Sequence, residues 1–275
     1  MNTYKIDLFG GTGFIGSNFK NLFKDEVYIH PREDNSPNLN NILYMISTTD
    51  NYNMLDNIYK DVDVNVIKLL KILENCKDKN ITFNFISSWF VYGRCRLPAR
   101  EIDSCDPKGF YSITKRTAEQ LLTTYCEHYN IKYRILRLCN VYGQGDSKRS
   151  SKKNAIQYMI DLLKENKDIN LYENGDVLRD LMHVTDVCKA IKIICDKGEI
   201  NSIYNIGTGN PISVRYIIEY AKSYLNSSSR INSIPTPKFH NLVQARDFYM
   251  DVLKLNNLGF KPLISIEEGI KSLLI

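Results

Sequence analysis

Residues Gly10-Gly11-Thr12-Gly13-Phe14-Ile15-Gly16 follow an apolar, strand-like run and open a segment with helical periodicity. They satisfy G-x-G-x-x-G counted from Gly11 and G-x-x-G-x-x-G counted from Gly10. Glycines so spaced allow a tight turn and a backbone bare enough for a pyrophosphate to approach. The free N–H groups of the following helix then hold the anion. A Walker-type loop would need a lysine after its last glycine, and Ser17 stands there. The stretch therefore reads as a dinucleotide-binding loop. Further along, Tyr111 and Lys115 lie four residues apart on one face of a predicted helix. An ammonium beside a phenol favours phenolate and draws a tyrosine towards the working pH of a general acid or base. Upstream, a β-rich segment ends at Ser87-Ser88, where the sheet edge would set a hydroxyl beside the cofactor.

Residues so placed need strands that end beside them and helices that begin there. Tyr4–Phe9 reads as a strand, Phe14–Lys24 as a helix, Glu26–His30 as a second strand and Leu43–Ser47 as a third apolar run. Asp61–Lys77 carries Val62, Val66, Leu69, Leu70 and Leu73 at three- and four-residue spacing, an amphipathic helix. Ile81–Ser88 is β-rich, Phe110–Tyr129 helical and Lys132–Cys139 a strand again. This alternation predicts an α/β fold, a Rossmann-type doubly wound parallel sheet. One unit is short: only ten residues, EDNSPNLNNI, separate Arg32 from Leu43. With a proline and no helical period, they suffice for a bare crossover and not for a βα unit. Residues 1–143 with about 203–209 are expected to form the dinucleotide domain, and 144–202 with 210–275 an interleaved substrate lobe. Ser147–Asn154 is basic and serine-rich and reads as a solvated loop.

A chain of 275 residues, 43% hydrophobic and 24% charged, can bury a real core. Its 36 basic and 31 acidic residues leave +5, compatible with an anionic small molecule and too thin for nucleic acid. No run approaches the roughly 18–20 apolar residues of a membrane span, and the early strand leaves no room for a signal peptide. The seven cysteines are never closer than seven residues apart. That argues against a disulfide framework or a C-x-x-C metal or redox site, and for a reducing cytoplasm.

Cofactor choice is read at the end of the second strand, where an acid bonds the ribose of NAD and an arginine accommodates the 2′-phosphate of NADP. The acidic position falls at about Pro31, and Arg32 follows it. NADP is therefore favoured, with NAD the alternative if Glu33 or Asp34 takes the ribose.

Nine blocks stand in order along the chain: GGTGFIG (10–16), DVNV (63–66), FISSWFVYG (85–93), YSITK (111–115) with Glu119 beyond, LRLCNVYGQG (136–145), RDLMHVTDV (179–187), YNIGTG (204–209), LGFKP (258–262) and SIEEGI (265–270). On these the chain resembles, over essentially its whole length, the extended short-chain dehydrogenase/reductases that act on nucleotide sugars. The resemblance implies a catalytic trio: Tyr111 moving the proton, Lys115 holding the nicotinamide ribose and biasing Tyr111, and Ser88 bonding the reacting sugar oxygen. Cofactor contacts are expected from Gly10, Thr12, Gly13, Phe14, Ile15, Gly16, Arg32, Ser47, Tyr111 and Lys115. For the nucleotide-diphosphate sugar, Asn140 would face the nucleotide, Arg179 would hold the diphosphate, and Asn154 and Arg246 would add anchors. Asp180 or Asp186 could instead hold Arg179 in an ion pair. Trp89 would pack on the hexose or serve as a core aromatic, and His183 reads as structural. A homodimer through a helix pair including Phe110–Tyr129 is also implied.

The related 4,6-dehydratases carry a Thr-Asp-Glu triplet just after the serines, whereas Trp89-Phe90-Val91 here holds no carboxylate. The expected reaction is reduction of a keto (4-keto-6-deoxy or similar) nucleotide sugar by NADPH. The alternative is a 4-epimerase that retains NAD. A non-catalytic dinucleotide sensor would be expected to have lost Tyr111 or Lys115, and both stand.

Overall fold

The computed structural model describes residues 5–49, 51–77, 79–146 and 155–274. Asn154 and the rest of the basic stretch 147–154 lie outside the described residues. In chain order the elements are β1 (Ile6–Phe9), α1 (Phe14–Leu22), β2 (Val27–Ile29), β3 (Asn41–Tyr44), α2 (Asn53–Asp56), α3 (Lys60–Val62), α4 (Lys68–Glu74), β4 (Thr82–Ser88), α5 (Phe110–His128), β5 (Lys132–Leu138) and β6 (Asn140–Tyr142). There follow α6 (Ala155–Lys164), β7 (Ile169–Tyr172), β8 (Leu178–His183), α7 (Val184–Lys197), β9 (Ser202–Ile206), β10 (Pro211–Ser213), α8 (Val214–Leu225), β11 (Ile231–Ile234), α9 (Lys238–Val243), α10 (Leu253–Asn256) and α11 (Ile266–Leu274).

Six parallel strands in the order β2-β1-β3-β4-β5-β9 make the main sheet. Helices cover both faces, so β1, β4 and β5 are buried almost throughout. One face packs on α1 and α7 and the other on α4 and α5. A third core joins α6, α8 and α11 with β7. This is the expected Rossmann-type α/β architecture. No described helix is long and apolar enough to cross a membrane.

The short crossover has a physical explanation. β2 and β3 flank β1 on opposite sides, and the chain passes between them without a helix. Buried Asp7 of β1 anchors this strap, its Oδ2 accepting from the backbone N–H groups of Asn38 (2.6 Å) and Leu39 (2.7 Å). His30 stacks on Phe9 at 4.0 Å and sits between Asp7 and Asp34, its Nε2 3.2 Å from Asp7 Oδ2 and its Nδ1 2.9 Å from Asp34 Oδ2.

The helix expected over Asp61–Lys77 is less regular than its spacing predicts. Between α3 and α4 the segment Asp63–Ile67 is a π-turn. Its extra residue shifts the apolar register, so Val62 lies exposed while Val66, Leu69 and Leu73 are buried. At its centre is Asn65, fully buried, and what it holds belongs to the site.

Candidate active site

The glycine loop joins β1 to α1. Gly10 has φ +92°, and a Cβ at Gly16 would stand 2.2 Å from the Gly10 carbonyl oxygen, so the turn and the close helix approach both require glycine. No side chain caps α1, whose first turn holds no acid. Its N-terminal amides are thus left for an anion, and the loop fits a dinucleotide pyrophosphate. Thr12 and Gly13 lie in this turn, which Gly13 N–H closes onto Gly10 O at 3.1 Å, and Phe14 and Ile15 open the helix.

At the end of β2, Asp34 faces inward. Its carboxylate accepts from Ser36 N–H and lies against His30, contacts that hold it below the usual carboxylate range. Arg32 is exposed, and its carbonyl accepts from Lys68 Nζ at 2.9 Å.

Ser47 and Thr48 continue β3 towards the site. Ser47 Oγ lies 3.0 Å from Asn65 Oδ1, which also accepts from Thr48 N–H at 2.9 Å. The Asn65 amide donates to the hydroxyls of Thr48 (2.8 Å) and Thr114 (3.0 Å). Asn65 thereby ties the loop after β3 to α5 one residue from Lys115. Its place in the DVNV block alone assigns it no role. The signal was there: an amide amid the apolar positions of an amphipathic helix.

Strand β4 ends on Ser88, buried, whose Oγ accepts from Phe90 N–H at 3.3 Å and caps a short 3₁₀ turn. Tyr111 and Lys115 occupy the buried face of α5 one turn apart. The Phe90 ring meets Tyr111 edge-on at 5.7 Å. Lys115 Nζ donates to Ile86 O at 2.6 Å and lies 4.2 Å from the centre of the Phe85 ring. Burial pushes its pKa down to about 7, against the pull of Glu119. Glu119, a turn further on, is almost wholly buried and receives two hydrogen bonds from Arg137 (3.0 and 2.8 Å) and one from Arg116 (2.8 Å). Burial raises its pKa, but the Arg137 contacts outweigh this and hold it low. The guanidinium of Arg137 also stacks 4.6 Å over Tyr92.

Beyond this trio opens a cleft of about 540 Å³, bounded by the end of β7, by β8 and by residues 236–248. Arg179 of β8 lines it. Its guanidinium donates to the carbonyls of Leu178 (2.8 Å), Ala245 (3.4 Å) and Arg246, and to Gln244 Oε1 (3.4 Å). Burial lowers its pKa to about 10. Neither acid named for an ion pair takes it. Asp180 accepts instead from Thr208, Gly209 and Met250, and Asp186 from the backbone of Leu263 and Ile264. Asn140 donates to Asp180 O at 3.2 Å. Arg246 reaches the same cleft, exposed, paired with Glu173 (3.0 Å) and Asp247 (2.7 Å).

Trp89 is packed beneath Arg179 in the core. It is 3% exposed, stacked on Phe90 (4.0 Å) and Phe248 (4.5 Å), with the Arg179 guanidinium 5.8 Å over its ring. Two aromatic rings and a guanidinium enclose it, and the residue that lines the cleft here is Arg179. His183 caps α7, its Nδ1 accepting from Thr185 N–H at 3.3 Å. The cysteines are all free, and five are buried.

Residues 47–207 match the family model described as the NAD dependent epimerase/dehydratase family. A relative described as a putative UDP-glucose 4-epimerase, from Methanocaldococcus jannaschii, is 31% identical over 80% of this chain and 70% of its own. In structure the chain is similar to a UDP-glucose 4-epimerase with UDP-glucose from Thermotoga maritima (TM-score 0.86, 21% identity, 98% and 97% of the two chains). It is similar also to RMD from Pseudomonas aeruginosa complexed with NADPH (TM-score 0.84, 21% identity, 99% and 98% covered). The family match spans more than half the sequence and contains Ser88, Tyr111 and Lys115, and the relative from Methanocaldococcus jannaschii aligns over 80% of the chain. The chain therefore belongs to the NAD dependent epimerase/dehydratase family, among the extended short-chain dehydrogenase/reductases that act on nucleotide sugars.

Proposed function

We propose that the protein reduces a keto nucleotide sugar, of the 4-keto-6-deoxy type, with NADPH preferred to NADH. The observation that carries this reading is the strap after β2. The one acid there that is turned inward, Asp34, is committed to His30 and Ser36, while Arg32 stands exposed beside Pro31. A ribose 2′-phosphate would meet a cation there, and Glu33 is the remaining acid for a 2′-hydroxyl. The glycine loop and the open end of α1 would hold the pyrophosphate, with Ser47 and Lys115 towards the nicotinamide end. Bound, the nicotinamide supplies the hydride.

The chain's own residues do the rest. Ser88 bonds the keto oxygen, and Tyr111 gives its hydroxyl proton to that oxygen as charge develops on it. Lys115, poised near neutrality, biases Tyr111 towards phenolate and bonds the ribose. Asn65 holds the loop after β3 against α5, and Glu119 supplies the negative charge that keeps Lys115 from losing its proton outright. In the cleft, Arg179 and Arg246 bind the diphosphate, the fork of each guanidinium suiting paired oxygens. Trp89-Phe90 supplies no acid or base for elimination of water.

Arg32→Ala tests the cofactor assignment. We expect kcat/KM for NADPH to fall about tenfold or more with NADH little changed, followed at 340 nm over a panel of keto nucleotide sugars. Equal losses for both cofactors would overturn it. The second reading, 4-epimerase with retained NAD, draws on the epimerase relative at 31% identity. NAD released on denaturing the purified protein would support that reading against the reductase.

A homodimer would form on the outer face of α5. Ile113 (47% exposed) and Leu121 (37%) lie on the outer face of α5, with Val62 and Ile67 exposed on the adjacent helix. Two copies apposing these stripes would cover them. Ile113→Asp with Leu121→Lys is expected to halve the mass seen by light scattering, and an unchanged mass would refute that interface. Seven free thiols fit a cytoplasmic setting.

A further inference from the structure

We propose that His240 binds the substrate diphosphate beside Arg179 and takes up a proton as it does so. This rests on the reading of the cleft as the nucleotide-sugar site.

His240 sits on α9 and lines the cleft together with Arg179. Its ring is fixed from two sides. Tyr52, just before α2, places its hydroxyl 3.3 Å from Nδ1, and Tyr172 at the end of β7 packs at 5.2 Å between ring centres. Nε2 makes no hydrogen bond to a described residue and is the nitrogen left for a ligand. The charges around it favour an anion. Arg179 contributes a cation whose partners are neutral carbonyls and an amide. Arg94 enters from the far wall, its guanidinium 3.4 Å from Asn241 O on α9. The two carboxylates of the cleft, Glu173 and Asp247, are both engaged by Arg246. Before substrate binds, burial and then the Arg179 charge hold His240 below the ordinary imidazole range, with Glu173 pulling weakly the other way. An arriving diphosphate reverses the balance, because it neutralises Arg179 and pairs with an imidazolium.

The sign of the pH dependence follows. With the pKa low in the free protein and raised in the complex, one proton is taken up per substrate in the window between the two values. Affinity there falls as pH rises, by up to about tenfold per unit. Below and above the window the slope vanishes.

Calorimetric titration with UDP-glucose, dTDP-glucose, GDP-mannose and CDP-glucose, in two buffers of different ionisation heat, reads that proton directly. These diphosphate diesters have no titrating proton of their own near neutrality. For the sugar nucleotide that binds, we expect proton uptake by the wild type and none by His240→Gln. The variant should bind about tenfold more weakly at the acid end and converge with the wild type at the alkaline end. His240→Lys should keep much of the affinity without the proton. NADPH binding by the same samples checks that the variants are folded. Wild-type binding without proton uptake, or uptake unchanged in His240→Gln, would overturn the role of His240. If the wild type bound none of the four, the reading of the cleft itself would fail, and this proposal with it.

Discussion

Tyr111→Phe is expected to lower kcat by about a thousandfold or more while leaving NADPH affinity within a few-fold of the parent. The substitution removes one oxygen from a ring that is already buried, with the edge of Phe90 against it, so packing is preserved. What is lost, on the proposed mechanism, is the proton donor. Without it the oxygen of the reduced carbonyl must develop charge beside Ser88 alone, in a site too dry to solvate it. The measurement is single-turnover reduction of the keto sugar at saturating cofactor, with cofactor affinity from fluorescence quenching. A variant that turned over at the parental rate would remove Tyr111 from the chemistry and return the Tyr-x-x-x-Lys spacing to coincidence.

Glu119→Gln is expected to cost about 3–5 kcal/mol of stability, which for a chain of this size lowers Tm on the order of 10 °C. Glu119 and Arg137 are each about 1% exposed and share a two-pronged hydrogen bond. Neutralising one strands the other's charge in the core between α5 and β5. The double variant Glu119→Leu, Arg137→Met should recover most of the loss, since an apolar pair of similar volume removes both desolvation penalties. Melting curves of the three proteins decide the matter. A double variant no more stable than the single would mean that packing, not charge, is what Glu119 contributes. Because the folded pKa of Glu119 is lowered, its stabilisation is present above the ordinary glutamate range and is lost as pH falls through the lowered value.

Much of this was legible in the sequence, and for definable reasons. The glycine loop, the ends of β4 and α5 and the missing helix after β2 depend on local signals: glycine spacing, apolar period and chain length. The parts that were not legible depend on partners far away in sequence. Asn65 bonds to Thr114, 49 residues on. His240 meets Tyr52 across 188 residues, and nothing local marks a histidine in a tail segment as part of a cleft. Asp180, adjacent to Arg179, was one of two acids that could have paired with it. The fold instead turns Asp180 towards the backbone of 208–209 and leaves the arginine to carbonyls. Trp89 was ambiguous because its fate hinged on Phe248, a residue 159 positions away.

The order of the main sheet bears on how the protein behaves in company. A parallel sheet has two open margins, and an open margin invites a foreign strand to join by main-chain pairing. Here one margin is β2, three residues long, and Pro31, two residues past its end, cannot donate to a ladder. At the other, β9, Lys254 of α10 donates to Ile203 O at 3.0 Å and sets a charged side chain across the exposed backbone. Both margins of the main sheet are thus poor templates for strand addition. Copies of the protein would then meet through helix faces, as in the contact proposed for α5.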